Sequence, residues 1–367
     1  MDTSKTPTVI IISQILLGLC AFFFILYIGQ QIILPLIYAT IIAILLNPLV
    51  NFLCHRGLNR VISIFLSILL TMIVVGGLFY FIFSQATMFS ETFPQLRDKF
   101  NDFLLQTVEW VSDTFGVSTV KINAWIAKTK AEGMSNSGTV VGQTLLTVTN
   151  LVVLMLLLPV YIFMILFYKP LLLDFIGKLF QKEAHSTVAE ILIETKLLVQ
   201  NYLVGLLIEA AMVATLNSVG LLILGIQYAV LLGIIGALLN IIPYIGGIIA
   251  IALPIMIALA TKQPVYALFV LILYIVVQFI DNNFIVPKIV ASRVKINALV
   301  SIVVVLIGGA LWGVPGMFLA IPLTAIVKVV FDRIEPLQPY GFLLGDTMPP
   351  IGKSIFKFTR RKAKKIE

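Results

Sequence analysis

Residues Leu197–Thr261 read LLVQNYLVGLLIEAAMVATLNSVGLLILGIQYAVLLGIIGALLNIIPYIGGIIAIALPIMIALAT, with Glu209 as the one charged side chain. A soluble domain carries about 25% charged residues, so this stretch cannot face water. A bilayer core takes about 20 apolar residues per helix, and Asn201–Leu224 supplies one full span. The next apolar run, Tyr228–Ala260, is interrupted by Asn240-Ile-Ile-Pro243-Tyr244-Ile-Gly246-Gly247. Pro243 lacks a backbone donor and the glycine pair relaxes the backbone. Each half has roughly 15 residues, about 22 Å at a 1.5 Å rise. That is short against a hydrocarbon core of about 30 Å. The spacing predicts a re-entrant hairpin rather than two crossings.

The same pattern extends outward. No Lys, Arg, Asp or Glu occurs in Thr6–Cys54, Val61–Ser90, Gly133–Tyr168, Gln263–Ile280 or Ile296–Val327. The first stretch is long enough for two spans with a tight turn near Gly29–Gln31. Val61–Phe83, Thr149–Tyr168 and Gln263–Val286 each read as one span. Ala298–Val330 is broken at Gly308-Gly309 and at Trp312-Gly313-Val314-Pro315-Gly316, which predicts a second hairpin entering from the opposite side. At an offset of 68, Tyr244 meets Trp312, Ala252 meets Ala320 and Pro254 meets Pro322, a weak trace of internal duplication. Over the whole chain, 60% of the 367 residues are hydrophobic and 11% charged, and mean hydropathy is +1.08. A soluble enzyme, a disordered chain and a nucleic-acid-binding domain are excluded. Two cysteines, Cys20 and Cys54, cannot build a disulfide framework or a thiolate metal site.

The expected fold is therefore an all-α polytopic membrane protein. It has about six full transmembrane helices, two opposed re-entrant hairpins and a small helical extramembrane insert. The domains expected are N-terminal spans in 1–90, an extracytoplasmic insert in 91–148, and a fourth span with amphipathic helices in 149–200. A core transport unit with both hairpins follows in 201–335, then a basic tail in 336–367. The insert rests on Glu91–Glu132, where charges return at the density of a soluble domain and apolar residues recur at helical spacing. Lys169–Lys196, also rich in charge, reads as an amphipathic helical pair at the membrane surface. The N-terminal apolar run shows no small-residue cleavage site and reads as an uncleaved span.

Lys and Arg prefer the cytoplasmic side of short loops. With the N-terminus inside and spans alternating, 19 basic residues fall inside and 6 outside. Both termini are thus expected to be cytoplasmic. The net charge of +8 then reports orientation and does not point to nucleic acid. Arg360, Arg361, Lys362, Lys364 and Lys365 would meet anionic lipid.

Opposed hairpins and broken helices are the pattern of secondary transporters, whose sites lie near the midplane where unwound backbone offers free polar groups. Charge within a span is expensive and usually faces a cavity or a partner. Asp281, in Gln278-Phe-Ile-Asp281-Asn282-Asn283, is the first candidate, and an interfacial pair with Lys288 or Arg293 is its structural alternative. Glu209 is the second, as a proton or cation carrier or a solute acceptor. The hairpin tips contribute Asn240, Pro243, Tyr244, Gly246 and Gly247, and then Gly308, Gly309, Gly313, Pro315 and Gly316. Asn47 and Asn217 are accounted for by hydrogen bonds between helices. The sequence holds no H-E-x-x-H, G-x-S-x-G or P-loop motif. No catalytic residue, cofactor or metal is called for. An aspartyl-type intramembrane protease would need opposed carboxylates, whereas Glu209 and Asp281 read as lying at different depths.

Three runs together resemble the autoinducer-two exporter-like (AI-2E) family of bacterial inner-membrane permeases. They are Asn240-Ile-Ile-Pro-Tyr-Ile-Gly-Gly247, Gln278-Phe-Ile-Asp-Asn-Asn-Phe-Ile-Val-Pro-Lys288, and Ile307-Gly-Gly-Ala-Leu-Trp-Gly-Val-Pro-Gly-Met-Phe-Leu-Ala-Ile-Pro322. The resemblance covers essentially the whole chain. It implies export of a small polar solute, with a furanone-type quorum signal as the named substrate, or Na+(Li+)/H+ antiport in some relatives. It also implies a homo-oligomer, a pentamer, with an elevator-like moving unit. The chain departs from the family at Ala291, where glycine is common, and at Ile296-Asn297-Ala298, where a Leu-x-Pro element is frequent. It departs again at Val204-Gly205-Leu206, where the family has Arg-Gly-Gln. These changes remove polar groups near the expected pathway and bear on the substrate more than on the fold. A non-transporting membrane scaffold is the reading from a different class, and it requires hairpin-tip substitutions to be harmless.

Overall fold

A computed structural model describes residues 8–116, 118–120, 124, 156–242, 246–290 and 295–347. Among these residues the fold is helical, and the only β-type pairing is an isolated bridge between Ile296 and Gly345. Helix α1 spans Thr8–Ile28, α2 Gln30–His55 and α3 Arg60–Phe115. Helices α4, Leu156–Phe167, and α5, Lys169–Leu179, meet at a 62° bend. Then come α6 (His185–Ile223), α7 (Ala229–Asn240), α8 (Gly246–Thr261) and α9 (Val265–Ile280). A π-helix, Asp281–Val290, continues α9, and α10 (Ala298–Arg333) and α11 (Gln338–Leu344) complete the described chain. Five of these helices, or six counting the bent α4–α5 pair as one, are long and apolar enough to cross a membrane. Shorter apolar helices accompany them, so the protein is a polytopic helical membrane protein.

Both predicted hairpins form. Helices α7 and α8, of 12 and 16 residues, pack side by side. At a 1.5 Å rise they are about 18 and 24 Å long, too short to cross a core of about 30 Å. In α10 the chain reverses at Gly313, with φ 63° and ψ −145°. That backbone region is close to glycine-only, and it brings Gly308 against Gly316, further along the same segment. A Cβ on Gly308 would stand 2.4 Å from the carbonyl oxygen of Gly316. Gly313→Ala, which meets no neighbouring atom, is expected to cost about 1–3 kcal/mol from backbone strain alone. A thermal or denaturant melt of the purified protein measures it.

Three expected boundaries shift. The break at Gly29 is a single position, and helical hydrogen bonds flank it: Gly29 N donates to Ile25 O at 2.8 Å, and Ile33 N donates to Gly29 O at 2.9 Å. With φ −78° and ψ 5°, one residue roughly 45° off helical ψ bends a helix but cannot turn it back. The expected tight turn is therefore a bend. The third span ends close to the expected Phe83, at Gln85, but its helix does not. Helix α3 continues for 56 residues, about 84 Å, so the described part of the polar insert begins as an extension of the span. Asn59 caps its start, its side chain accepting from Ile62 N, and Gly116 in the left-handed region ends it. Likewise the polar residues before Leu197 belong to α6, which continues unbroken into the predicted span.

The buried apolar residues form separate cores. One joins α2, α3 and α4 around Ala39, Ala43, Ile64 and Ile162. A second joins α2, α6 and the last limb of α10 around Ile41, Val199, Leu206 and Leu319. A third joins the end of α6 to α7, α8 and α9 around Leu221, Leu232, Ala258 and Val270. Helix α6 enters the second and third, so it links the N-terminal spans to the first hairpin. Polar ties reinforce the first core, with Arg60 Nη2 donating to Leu166 O at 2.7 Å and Lys169 Nζ to Asn47 Oδ1 at 2.9 Å. The base of α10 is held to α6 by Arg333, which pairs with Glu190 and Glu194. These groups are 41–57% exposed, and exposed pairs contribute about 0–1 kcal/mol. Arg333→Ala is accordingly expected to shift stability by no more than about 1 kcal/mol, read in the same melt.

Candidate functional site

The first hairpin, α6 and α9 converge on one polar centre inside an apolar fold. Asp281 stands where α9 gives way to the π-helix. A π-turn widens the helix and is frequent at functional sites. Because the helix runs on to Val290, Asp281 lies inside the span Val265–Ile289 and not at its end. Its side chain is 2% exposed. Oδ2 accepts a 2.8 Å hydrogen bond from Asn240 Nδ2, at the tip of the first hairpin. Oδ1 has no hydrogen-bond partner among the described residues. Asp281 forms no ion pair with a described residue, so the interfacial pair with Lys288 is not what holds it; Arg293 lies outside the described residues.

Glu209 is 8% exposed on α6 and makes no hydrogen bond to a described residue. It lies close enough to Asp281 to interact with it electrostatically. Both carboxylates are thus buried on adjoining elements, α6 and the π-helix. Gln278 and Asn240 border the same region. Gln278 Nε2 donates to Asn282 Oδ1 at 3.3 Å, and Asn283 Nδ2 donates to Phe279 O at 2.8 Å. Asn282 and Asn283 are exposed on the π-helix, away from the buried carboxylate.

Glycines open this centre. A Cβ on Gly247 would stand 2.7 Å from Gln278 Oε1 and 3.5 Å from Asn240 Oδ1, so the bare backbone leaves both amides their positions. A Cβ on Gly246 would stand 1.8 Å from Leu239 O, so the hairpin closes only with glycine there. Pro243 and Tyr244 lie outside the described residues. Beside these groups is a narrow cleft of about 10 Å³, room for about one water. It is lined by Asn217, Gly236, Asn240, Gly247, Tyr274 and Gln278, with apolar walls from Val213, Ala250 and Val277.

The second hairpin is placed elsewhere. Gly308, Gly309, Gly313, Pro315 and Gly316 do not line the cleft. Its tip is tied to the N-terminal helices: Tyr38 Oη donates to Pro315 O at 3.2 Å, and Trp312 Nε1 donates to Leu26 O at 3.0 Å. Gly308 and Gly316 serve close packing within the hairpin.

Two residues of the cleft were not legible as site residues. Asn217 read as a bond between helices, and Tyr274 is one aromatic in an apolar run. In the structure both are buried, and Asn217 Oδ1 and Tyr274 Oη have no partner among the described residues. An isolated Asn in an apolar run was the one available signal. Among the described residues no three His, Cys, Asp or Glu side chains gather as a metal site.

A polytopic helical bundle with short hairpins and a buried carboxylate near a polar cleft fits a membrane transporter. The family model described as AI-2E family transporter matches residues 16–335, and the chain belongs to that family. It is 28% identical over 343 residues to "AI-2 transport protein TqsA" of Escherichia coli (strain K12), covering 92% of this chain and 95% of that one. It is 27% identical over 307 residues to "Putative transport protein YrrI" of Bacillus subtilis (strain 168), covering 82% and 86%. With "Putative transport protein YhhT" of Escherichia coli (strain K12) it shares 26% identity over 328 residues, covering 88% and 90%.

Proposed function

We propose that this protein is a secondary transporter that exports a small polar solute, with an AI-2-type signal as the solute suggested by the name of its relative TqsA. One observation carries the reading. Asp281 is buried within a span, is bonded to the hairpin tip through Asn240, and keeps one oxygen unpartnered among the described residues. A buried unsatisfied acceptor costs about 1–3 kcal/mol, more when charged, and the carboxylate's partner Asn240 also lines the neighbouring polar cleft. The first hairpin with α9 forms the moving unit of an elevator-like cycle. The second hairpin, tied to Leu26 and Tyr38, stays with the N-terminal spans. The protein resides in the bacterial inner membrane as a homo-oligomer, a pentamer by family resemblance. The Arg56–Arg60 loop and the basic C-terminal segment face the cytoplasm and its anionic lipid.

Cation/proton antiport is the second reading, favoured by a second buried carboxylate, Glu209, on the adjoining helix α6. The amide oxygens of Asn240 and Gln278 also stand beside Gly247 of the cleft, and hard cations take oxygen ligands. Proteoliposome flux separates the two. Efflux of a labelled AI-2-type furanone is expected above protein-free vesicles. A pH dye would instead respond to Na+ or Li+ pulses under antiport. Neither signal from correctly assembled protein would overturn both readings.

A further inference from the structure

Three basic side chains meet at one corner of the N-terminal helices, and none of them lines the cleft. Arg60 opens α3, Lys169 opens α5 at the 62° bend, and Lys196 stands on α6. Arg60 Nη2 donates to Leu166 O at 2.7 Å, just before that bend. Lys169 Nζ donates at 2.9 Å to Oδ1 of Asn47 on α2. Gln200 Nε2 donates to Ile44 O at 2.7 Å, which fixes the register of α6 on α2. Asn47 and Lys196 each lie about one helical turn from that contact. Lys196 and Arg60 both stand within electrostatic reach of Lys169. None of the three forms an ion pair among the described residues, and Glu190 and Glu194 of α6 pair with Arg333 instead. Like charges so placed repel one another, and a bound anion removes that cost. The corner is open, with Arg60 exposed and Lys169 and Lys196 half-buried. Beside it lies an uncovered apolar surface. Met164 and Phe167 on α4 and Leu171 and Phe175 on α5 are exposed, and α5 has no buried residue.

We infer that Arg60, Lys169 and Lys196 form a binding site for the phosphate of an anionic phospholipid, with its acyl chains against the apolar surface of α4 and α5. An ammonium carries three donors and a guanidinium five, so the bonds to Asn47 and Leu166 leave donors for phosphate oxygens. Lys196 makes no hydrogen bond to a described residue and has all of its donors to give. Basic pockets between helices at a membrane surface are suited to anionic headgroups. A free phosphate would answer the cations alone, whereas a lipid also covers the apolar residues beside them. A zwitterionic lipid would bring a second positive group among three others, so net charge selects the headgroup. The inference goes beyond transport and depends on neither solute nor orientation. It needs only that the corner lies at a membrane interface, where the span Arg60–Gln85 begins. The site is separate from the basic C-terminal segment.

Dioleoyl phosphatidylglycerol serves as probe, with dioleoyl phosphatidylcholine and inorganic phosphate as controls. Each is titrated into the full-length protein in a nonionic detergent, and bound lipid is counted by native mass spectrometry. Phosphatidylglycerol is expected to bind more tightly than phosphatidylcholine. Lys169→Gln and Lys196→Gln should each weaken its tightest site about fivefold and leave phosphatidylcholine unaffected. Because the Lys196 side chain holds no described partner, Lys196→Gln tests the site even if Lys169→Gln fails to assemble. Replacing Arg360 and Arg361 by Gln should leave the tightest site intact. Equal binding of the two lipids would overturn the inference, as would phosphatidylglycerol affinity unchanged in Lys196→Gln. A loss confined to the Arg360 and Arg361 variant would assign the lipid to the C-terminal segment and overturn it too. Displacement of phosphatidylglycerol by an equal concentration of inorganic phosphate would make this a site for a soluble anion, again against the inference.

Discussion

Asp281→Asn is expected to abolish proton-coupled transport and to leave the protein folded. The substitution is nearly isosteric. The amide oxygen still accepts from Asn240 Nδ2, now 2.8 Å from the carboxylate, so the contact between the hairpin tip and α9 survives. What disappears is the charge and the ability to take up and release a proton. A hydrogen bond to a charged group is worth about 1.5–3 kcal/mol, and each 1.4 kcal/mol is about tenfold. If Asp281 holds the solute or cation directly, flux should fall roughly tenfold to a hundredfold. Antiport should vanish, because a side chain that cannot titrate carries no proton. Asp281→Leu removes the acceptor as well and strands Asn240, so it should also lower stability. Proteoliposome flux alongside a thermal melt gives both numbers. Wild-type flux in Asp281→Asn would remove this carboxylate from the mechanism.

Gly316→Ala is expected to prevent the second hairpin from closing, whereas Gly309→Ala should be tolerated. A Cβ on Gly316 would stand 2.0 Å from Gly308 O, and neither limb of the hairpin can shift its backbone without breaking helical hydrogen bonds. Overpacking a well-filled site costs typically about 1–3 kcal/mol and occasionally more. A backbone collision this close belongs at or beyond the upper end. At Gly309 the nearest atoms belong to the Met317 side chain, at 2.6 Å. An unbranched thioether can swing aside. Monodispersity in detergent and the melting midpoint should therefore separate two variants that differ from the wild type by the same methyl group in the same hairpin. Equal losses would mean that the hairpin is not packed through Gly308 and Gly316.

Much of the fold was legible because it follows from one-dimensional rules. Charge-free runs of about 20 residues mark spans, and glycine and proline inside an apolar run mark the break of a hairpin. Those rules located the interruption at Asn240–Gly247 and the reversal at Gly313. They failed at Gly29, where a glycine between two apolar runs only bends the helix. They failed again in α3 and α6, which were divided where polarity changed. A change from apolar to polar side chains alters the solvent a helix prefers but removes none of its backbone hydrogen bonds. Even Pro94 does not end α3.

The candidate site divides in the same way. Asp281 and Glu209 stood out by themselves, since a carboxylate in an apolar run is costly wherever the chain places it. The amino-acid sequence thus determined a membrane protein with two helical hairpins and a few expensive polar residues. Only the tertiary structure decided which of them meet. It joined Asn240 to Asp281 from separate helices, set Asn217 and Tyr274 against one glycine, and kept the second hairpin away from the cleft. Solvent preference is a property of each segment and can be read along the chain. The pairing of buried hydrogen-bonding groups depends on how helices pack, which no single segment contains.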